Sequence, residues 1–133
     1  MQAQDSEAII EKLRTFTQAG PNGATIRLDS TTDFAWDKVY GFDGTAPTDF
    51  ITKMMGRHVT LTDEVKAKST SNSALLIFTK GGDIVHQMAV APGINQPPLF
   101  IVGLLGKDYT PDNAVLSVHT KDPGPYAALR FLD

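Results

Sequence analysis

The spacing of apolar positions changes along this chain, and each change marks an element. From Ser6 to Phe16, Ile9, Ile10, Leu13 and Phe16 recur at helical spacing. They predict one amphipathic helix with Ser6 as N-cap and Glu7 in its first turn. Gly20, Pro21, Asn22 and Gly23 then stop it. The run "ATIRLD" alternates as a short strand. "TAPTDFITKMMG" predicts a second short helix, capped by Thr48, stopped by Gly56 and turning Phe50, Ile51, Met54 and Met55 inward. The polar interval from Arg57 to Asn72 carries no predicted element.

Period two takes over after that interval. "SALLIFT" and "DIVHQMAV" flank Lys80-Gly81-Gly82-Asp83. The Gly-Gly pair supplies the positive φ angles of a two-residue hairpin turn. Ala74, Leu76 and Phe78 fall on one face of the first arm and Leu75 and Ile77 on the other, so that arm is expected to be central and the second more exposed. "APGINQPPLFIVGLLGKDYTPDNA" is broken by Pro92, Gly93, Pro97, Pro98, Gly103 and Gly106, and reads either as a covering strand around "LFIVGLL" or as a loop facing a partner. Thr110-Pro111-Asp112-Asn113 reads as a turn, and "AVLSVHT" and "YAALRFL" as two last strands around "KDPGP". The order predicts a single α+β domain over residues 1–133. Its antiparallel sheet is expected to have about five to six strands, with the N-terminal helix and the second short helix packed on one face.

The most distinctive stretch is "DFAWDKVYGFDG", Asp33 to Gly44. As a plain strand it would set Phe34, Trp36, Lys38, Tyr40 and Phe42 on one side, burying an ammonium group among rings at high cost. A bulge near Trp36-Asp37 would instead bring Val39 to the side of Phe34 and Trp36 and turn Lys38 outward. The second arrangement is favoured, with any function expected to be binding through an exposed edge.

"FAWDKVYGF", a short helix ending in glycine, "ALLIFTKGGDIVH", "YTPDNAVLSV" and a closing "ALRFL" occur in that order from Phe34 to Leu132. This series resembles a family of small, largely uncharacterised bacterial exported proteins and lipoproteins with a Trp-Asp-Lys-Val-Tyr motif. The resemblance implies a signal peptide and often a lipobox cysteine ahead of the domain. Neither is in this chain, and the expectation is a mature domain without its leader. It implies no catalytic residues. After "DKVYGF" the chain departs from the family, reading "DGTAP" in place of a Gly-Pro-Tyr-type turn, so no ligand role is carried to that loop.

Composition narrows the chemistry. The content of 41% hydrophobic and 20% charged residues is that of a folded globular chain. A net charge of −3, without any Lys/Arg run, argues against nucleic acid as partner. No apolar run approaches a membrane span, so membrane tethering is expected only through a leader. With no cysteine, thiolate catalysis and thiolate metal sites are excluded. His58, His86 and His119 show no metal-ligand spacing, although His86 and His119 are placed on strands that could neighbour each other. Asp29, Asp33, Asp37 and Asp43 read as turn formers, and Asp112 with Asn113 as a turn rather than a calcium loop. "GLLGKDYT" lacks the spacing of a phosphate loop.

These readings converge on a non-enzymatic binding protein of the bacterial periplasm or outer envelope, with a cytoplasmic location as the alternative. An immunity or inhibitor protein that neutralises a toxin or envelope enzyme by contact is the leading form; a small-molecule or lipid-binding lipoprotein domain is the second. No cofactor and no metal are expected. The partner-binding residues expected are Trp36, Asp37, Lys38 and Tyr40, with Ile94, Asn95, Leu99 and Phe100 from the irregular segment.

Overall fold

A computed structural model of the chain describes residues 6–19, 21, 23–68, 73–90, 100–104, 106–120 and 127–132. Its elements run α1 (Ser6–Ala19), β1 (Thr25–Arg27), a single 3-10 turn (Leu28–Ser30), β2 (Lys38–Asp43), α2 (Thr48–Met55) and α3 (Asp63–Lys68). They continue through β3 (Ala74–Lys80), β4 (Asp83–Val90), β5 (Phe100–Val102), β6 (Asp108–Tyr109), β7 (Val115–Thr120) and β8 (Ala127–Phe131). The fold is α+β, as the alternation of periods predicts.

The strands form two sheets rather than one. The first has the order β1-β7-β8-β5 and the second β4-β3-β2-β6. Among the described residues every pairing is antiparallel except β5 with β8, which run parallel. The count exceeds the predicted five to six because β5 and β6 are only three and two residues long, too short to show a period. Pairing across the sheet, not local pattern, makes them strands.

Between the sheets lies the larger core. Leu76 and Phe78 of β3, Val39 of β2 and Met88 of β4 meet Leu116, Val118, Leu129 and Phe131 of the other sheet, and Ile9, Ile10 and Leu13 of α1 enter the same cluster. Tyr109 of β6 stacks on Phe131 of β8 at 4.1 Å between centroids, so one ring pair ties the two sheets together. The outer face of the second sheet has its own cluster, in which Phe42, Leu75 and Ile77 meet Ile51 of α2, Val65 of α3 and Val59 between them. Strand β3 is therefore central and covered on both faces, with alternate residues going to different clusters.

The hairpin has the two-residue turn its sequence predicts. Lys80 pairs with Asp83, and Gly81 and Gly82 take φ of 59° and 88°. Thr110-Pro111-Asp112-Asn113 is likewise a turn, closed by Asn113 N–H to Thr110 O and by Thr110 N–H to Asn113 Oδ1 at 2.7 Å.

Other expectations are corrected. Thr48 is the first helical residue of α2 and not its cap. At α2 the cap is Pro47, whose extended backbone aims its carbonyl at the Ile51 N–H. Only Ile51 of α2 is fully buried, while Phe50 and Met54 are 40% and 41% exposed, because one short helix presents a narrow stripe to the sheet. Gly56 does stop the helix, in left-handed conformation at φ 71°. Helix α3 was not predicted. Thr62 starts it by accepting the Val65 N–H on its hydroxyl, followed by Asp63 and Glu64 in the first turn.

Candidate functional site

The site begins where the aromatic stretch enters the second sheet. Phe34 and Trp36 turn inward against Phe78, each edge-on with centroids 5.2 Å away. The indole N–H of Trp36 donates to Thr32 Oγ1 at 3.0 Å, which satisfies the polar atom of a buried ring. Strand β2 starts only at Lys38. The three-residue step from Trp36 to Val39 places both in the inter-sheet core and turns Lys38, Tyr40 and Phe42 to the opposite face. The four rings thus do not share a face. Lys38 points outward, as the bulge reading expects, but the irregularity precedes the strand instead of interrupting it. The sheet's own register shift lies between β3 and β4, where Phe78 pairs with His86 and Thr79 with Ile84, leaving Val85 as the extra residue.

Asp37, at this bend, has two tasks. Its N–H donates to Thr79 O at 2.8 Å, extending the ladder by one bond, and its Oδ2 accepts the Gly81 N–H at 2.8 Å. The carboxylate therefore braces the β3–β4 turn. From the other side, Arg57 leaves the Gly56 stop of α2 and donates through Nη1 to Gly82 O at 2.5 Å and through Nε to His58 O at 3.2 Å. Its guanidinium also lies 4.0 Å from Asp83 Oδ1. One turn is thus held from both flanks.

An open cleft of about 370 Å³ lies between these flanks, lined by Asp37, Lys38, Tyr40, Met55, Arg57, Thr79 and Gly82. Lys38 Nζ sits 3.5 Å from Asp108 Oδ2, with both side chains about half exposed. The cleft offers a carboxylate, two cations, a phenol and a thioether on braced backbone. That mixture suits a partner carrying both charge and apolar surface. Replacing Asp37 with Ala is expected to remove about 1 kcal/mol of stability, the net contribution of one such hydrogen bond. Amide exchange at Gly81 checks it: the rate should rise in Asp37→Ala while residues at the far end of β4 keep theirs.

Of the residues expected at a partner site, Asp37, Lys38 and Tyr40 come together, with Trp36 behind them as buried support. Phe100 does not join them. It is half-buried in β5 of the other sheet, beside a second hollow of about 170 Å³ that Asp43, Ser73 and the β5 segment line. Ile94, Asn95 and Leu99 lie outside the described residues. Arg57 was missed because it stands in a polar interval; its signal was position, directly after a glycine that reverses the chain toward the sheet. His86 and His119 sit on β4 and β7, strands of different sheets, and so do not neighbour each other. Among the described residues no three metal-ligating side chains converge.

Asp43, beside the second hollow, has a displaced titration. Its Oδ1 accepts from the Thr45 N–H at 2.9 Å and the Thr45 hydroxyl at 2.7 Å, which holds its pKa below the ordinary 3.8. A lowered pKa in the folded state means a contribution present above the unfolded value and lost as pH falls through the folded one. Urea midpoints of the wild-type protein and Asp43→Ala should therefore differ at neutral pH and converge at about pH 2.

No family model, no curated protein and no solved structure matches this chain.

Proposed function

We propose that this chain is a non-enzymatic binding protein of the bacterial envelope that holds a protein partner, a toxin or an envelope enzyme, by contact at the cleft of Asp37, Lys38, Tyr40 and Arg57. One observation carries the reading: the most distinctive stretch of the sequence turns Phe34 and Trp36 into the inter-sheet core and brings Asp37, Lys38 and Tyr40 to a single cleft, where Arg57 joins them. Tyr and Arg at the centre of such a patch are the residue types that dominate contact energies. Bracing of the turn by Asp37 and Arg57 reduces the ordering cost on association. The envelope location rests on the resemblance of the "FAWDKVYGF" to "ALRFL" series.

The test is capture of a partner from cells that produce the protein, with Tyr40→Ala and Arg57→Ala beside the wild type. A partner held by the wild type and at least about tenfold more weakly by either variant supports the reading. Equal retention by all three, or turnover of the partner, overturns it.

The cleft volume favours a second reading. About 370 Å³ falls at the lower end of the range for small-molecule sites, so a small ligand with mixed charge also fits. Trp36 reports on the two, since its neighbour Asp37 lines the cleft: a saturable fluorescence change with a small molecule, and none with a protein, selects the second.

A further inference from the structure

The two sheets are dressed differently. Helices α2 and α3 cover the outer face of the second sheet, and the apolar residues of α1 enter the inter-sheet core, so among the described residues no helix packs a core cluster against the outer face of the first. Strand alternation gives that face Thr25 and Arg27 of β1, Ser117 and His119 of β7, Arg130 of β8 and Val102 of β5, because Ile26, Leu116, Val118, Leu129 and Ile101 point into the core. Register sets Thr25, Ser117, Arg130 and Val102 in one row across four strands.

Charge on this face is one-sided. The four strands read TIR, FIV, VLSVHT and AALRF, without a single Asp or Glu, in a chain where acids outnumber Lys and Arg by 15 to 12. Arg27 is spent on Asp29 and Asp112 at the rim. Arg130 is exposed and makes no ion pair among the described residues. Its guanidinium lies over Gly103, where a Cβ would come within 3.4 Å of Cζ, so it extends across the sheet toward β5. Ser117 is buried, and its Oγ lies 2.8 Å from His119 Nε2, which anchors the exposed imidazole to the same face. Val102 and Leu132, 41% and 45% exposed, put apolar surface beside the cation.

We infer that this face docks an extended acidic segment of a protein partner, with carboxylates on Arg130 and His119 and an apolar side chain over Val102 and Leu132. Charge complementarity selects the occupant: a guanidinium prefers a carboxylate in paired hydrogen bonds, and the absence of acids from the strands removes any competitor within them. The surface is separate from the cleft, on the other sheet, so it stands or falls independently of the reading above.

The probe is a fluorescein-labelled peptide of alternating Glu and Leu, followed by anisotropy, with backbone amide shifts recorded in parallel. The expected result is saturable binding that weakens with salt, shifts at Val102, Ser117, His119 and Arg130, and about tenfold weaker binding in Arg130→Gln. Arg130→Lys should restore part of the loss, and an unchanged thermal midpoint for both variants shows that the fold is kept. Four outcomes overturn the inference: no binding, equal binding of a Gln-Leu peptide, shifts at Lys38 and Tyr40 instead of this face, or displacement by inorganic phosphate at concentrations equal to the peptide's.

Discussion

Phe78→Ala will lower the folding stability by about 3–5 kcal/mol. Phe78 is fully buried on the central strand and touches Phe34 and Trp36 edge-on, at 5.2 Å each, with His86 at 6.0 Å. Removing its ring leaves a void that cannot close easily. Strand β3 is bonded on one side to β2 and on the other to β4, so it has no freedom to move toward the gap. Urea unfolding followed by Trp36 fluorescence measures the loss and also reports it locally, since the indole loses a ring neighbour. Phe78→Leu, which keeps much of the volume, should cost less than half as much. A loss below about 1 kcal/mol in Phe78→Ala would mean that the two sheets are not held together here.

Ile51→Ala is expected to cost about 2–4 kcal/mol, and to do so in a different way. Among the eight residues of α2 only Ile51 is fully buried, so the helix depends on a single anchor. Loss of that anchor should free α2 before it unfolds the domain. Hydrogen exchange separates the two processes: amides of α2 should exchange much faster in Ile51→Ala, whereas those of β3 should change only by the global loss. The cleft then suffers as well. Met55 ends this helix and Arg57 follows it, so binding at the cleft should weaken in Ile51→Ala although Ile51 itself does not line the cleft.

What could be read from the sequence was what local pattern determines. The period of α1, the alternation of β3 and the Gly81-Gly82 turn each follow from a few neighbouring residues, and each is present. What could not be read was pairing at a distance. Nothing near Phe100 announces that it will run parallel to β8, and nothing near Asp108 shows that two residues will complete the second sheet. The division into two sheets is likewise a decision about which strands meet, and local period is silent on it. The aromatic stretch shows the same limit. Its residues were rightly singled out, yet which of them face outward depended on where β2 begins, and that is fixed by Asp37 bonding to Thr79, a partner far along the chain. Arg57 came to the cleft by the same route, through a carbonyl of the hairpin turn.

The register of β1 against β7 has a consequence for how the molecule is made. Thr25 meets Ser117, and Ile26 meets Leu116, so the earliest strand waits for nearly the last. A chain synthesised from its N-terminus can close the β3–β4 hairpin while most of the first sheet does not yet exist, since contacts between near neighbours form before those that close long loops. During that interval Ile9, Ile10 and Leu13 have only half of their eventual surroundings. The finished core is sealed by β7 and β8, which makes the C-terminal strands the step at which a nascent chain stops being sticky and becomes a folded protein.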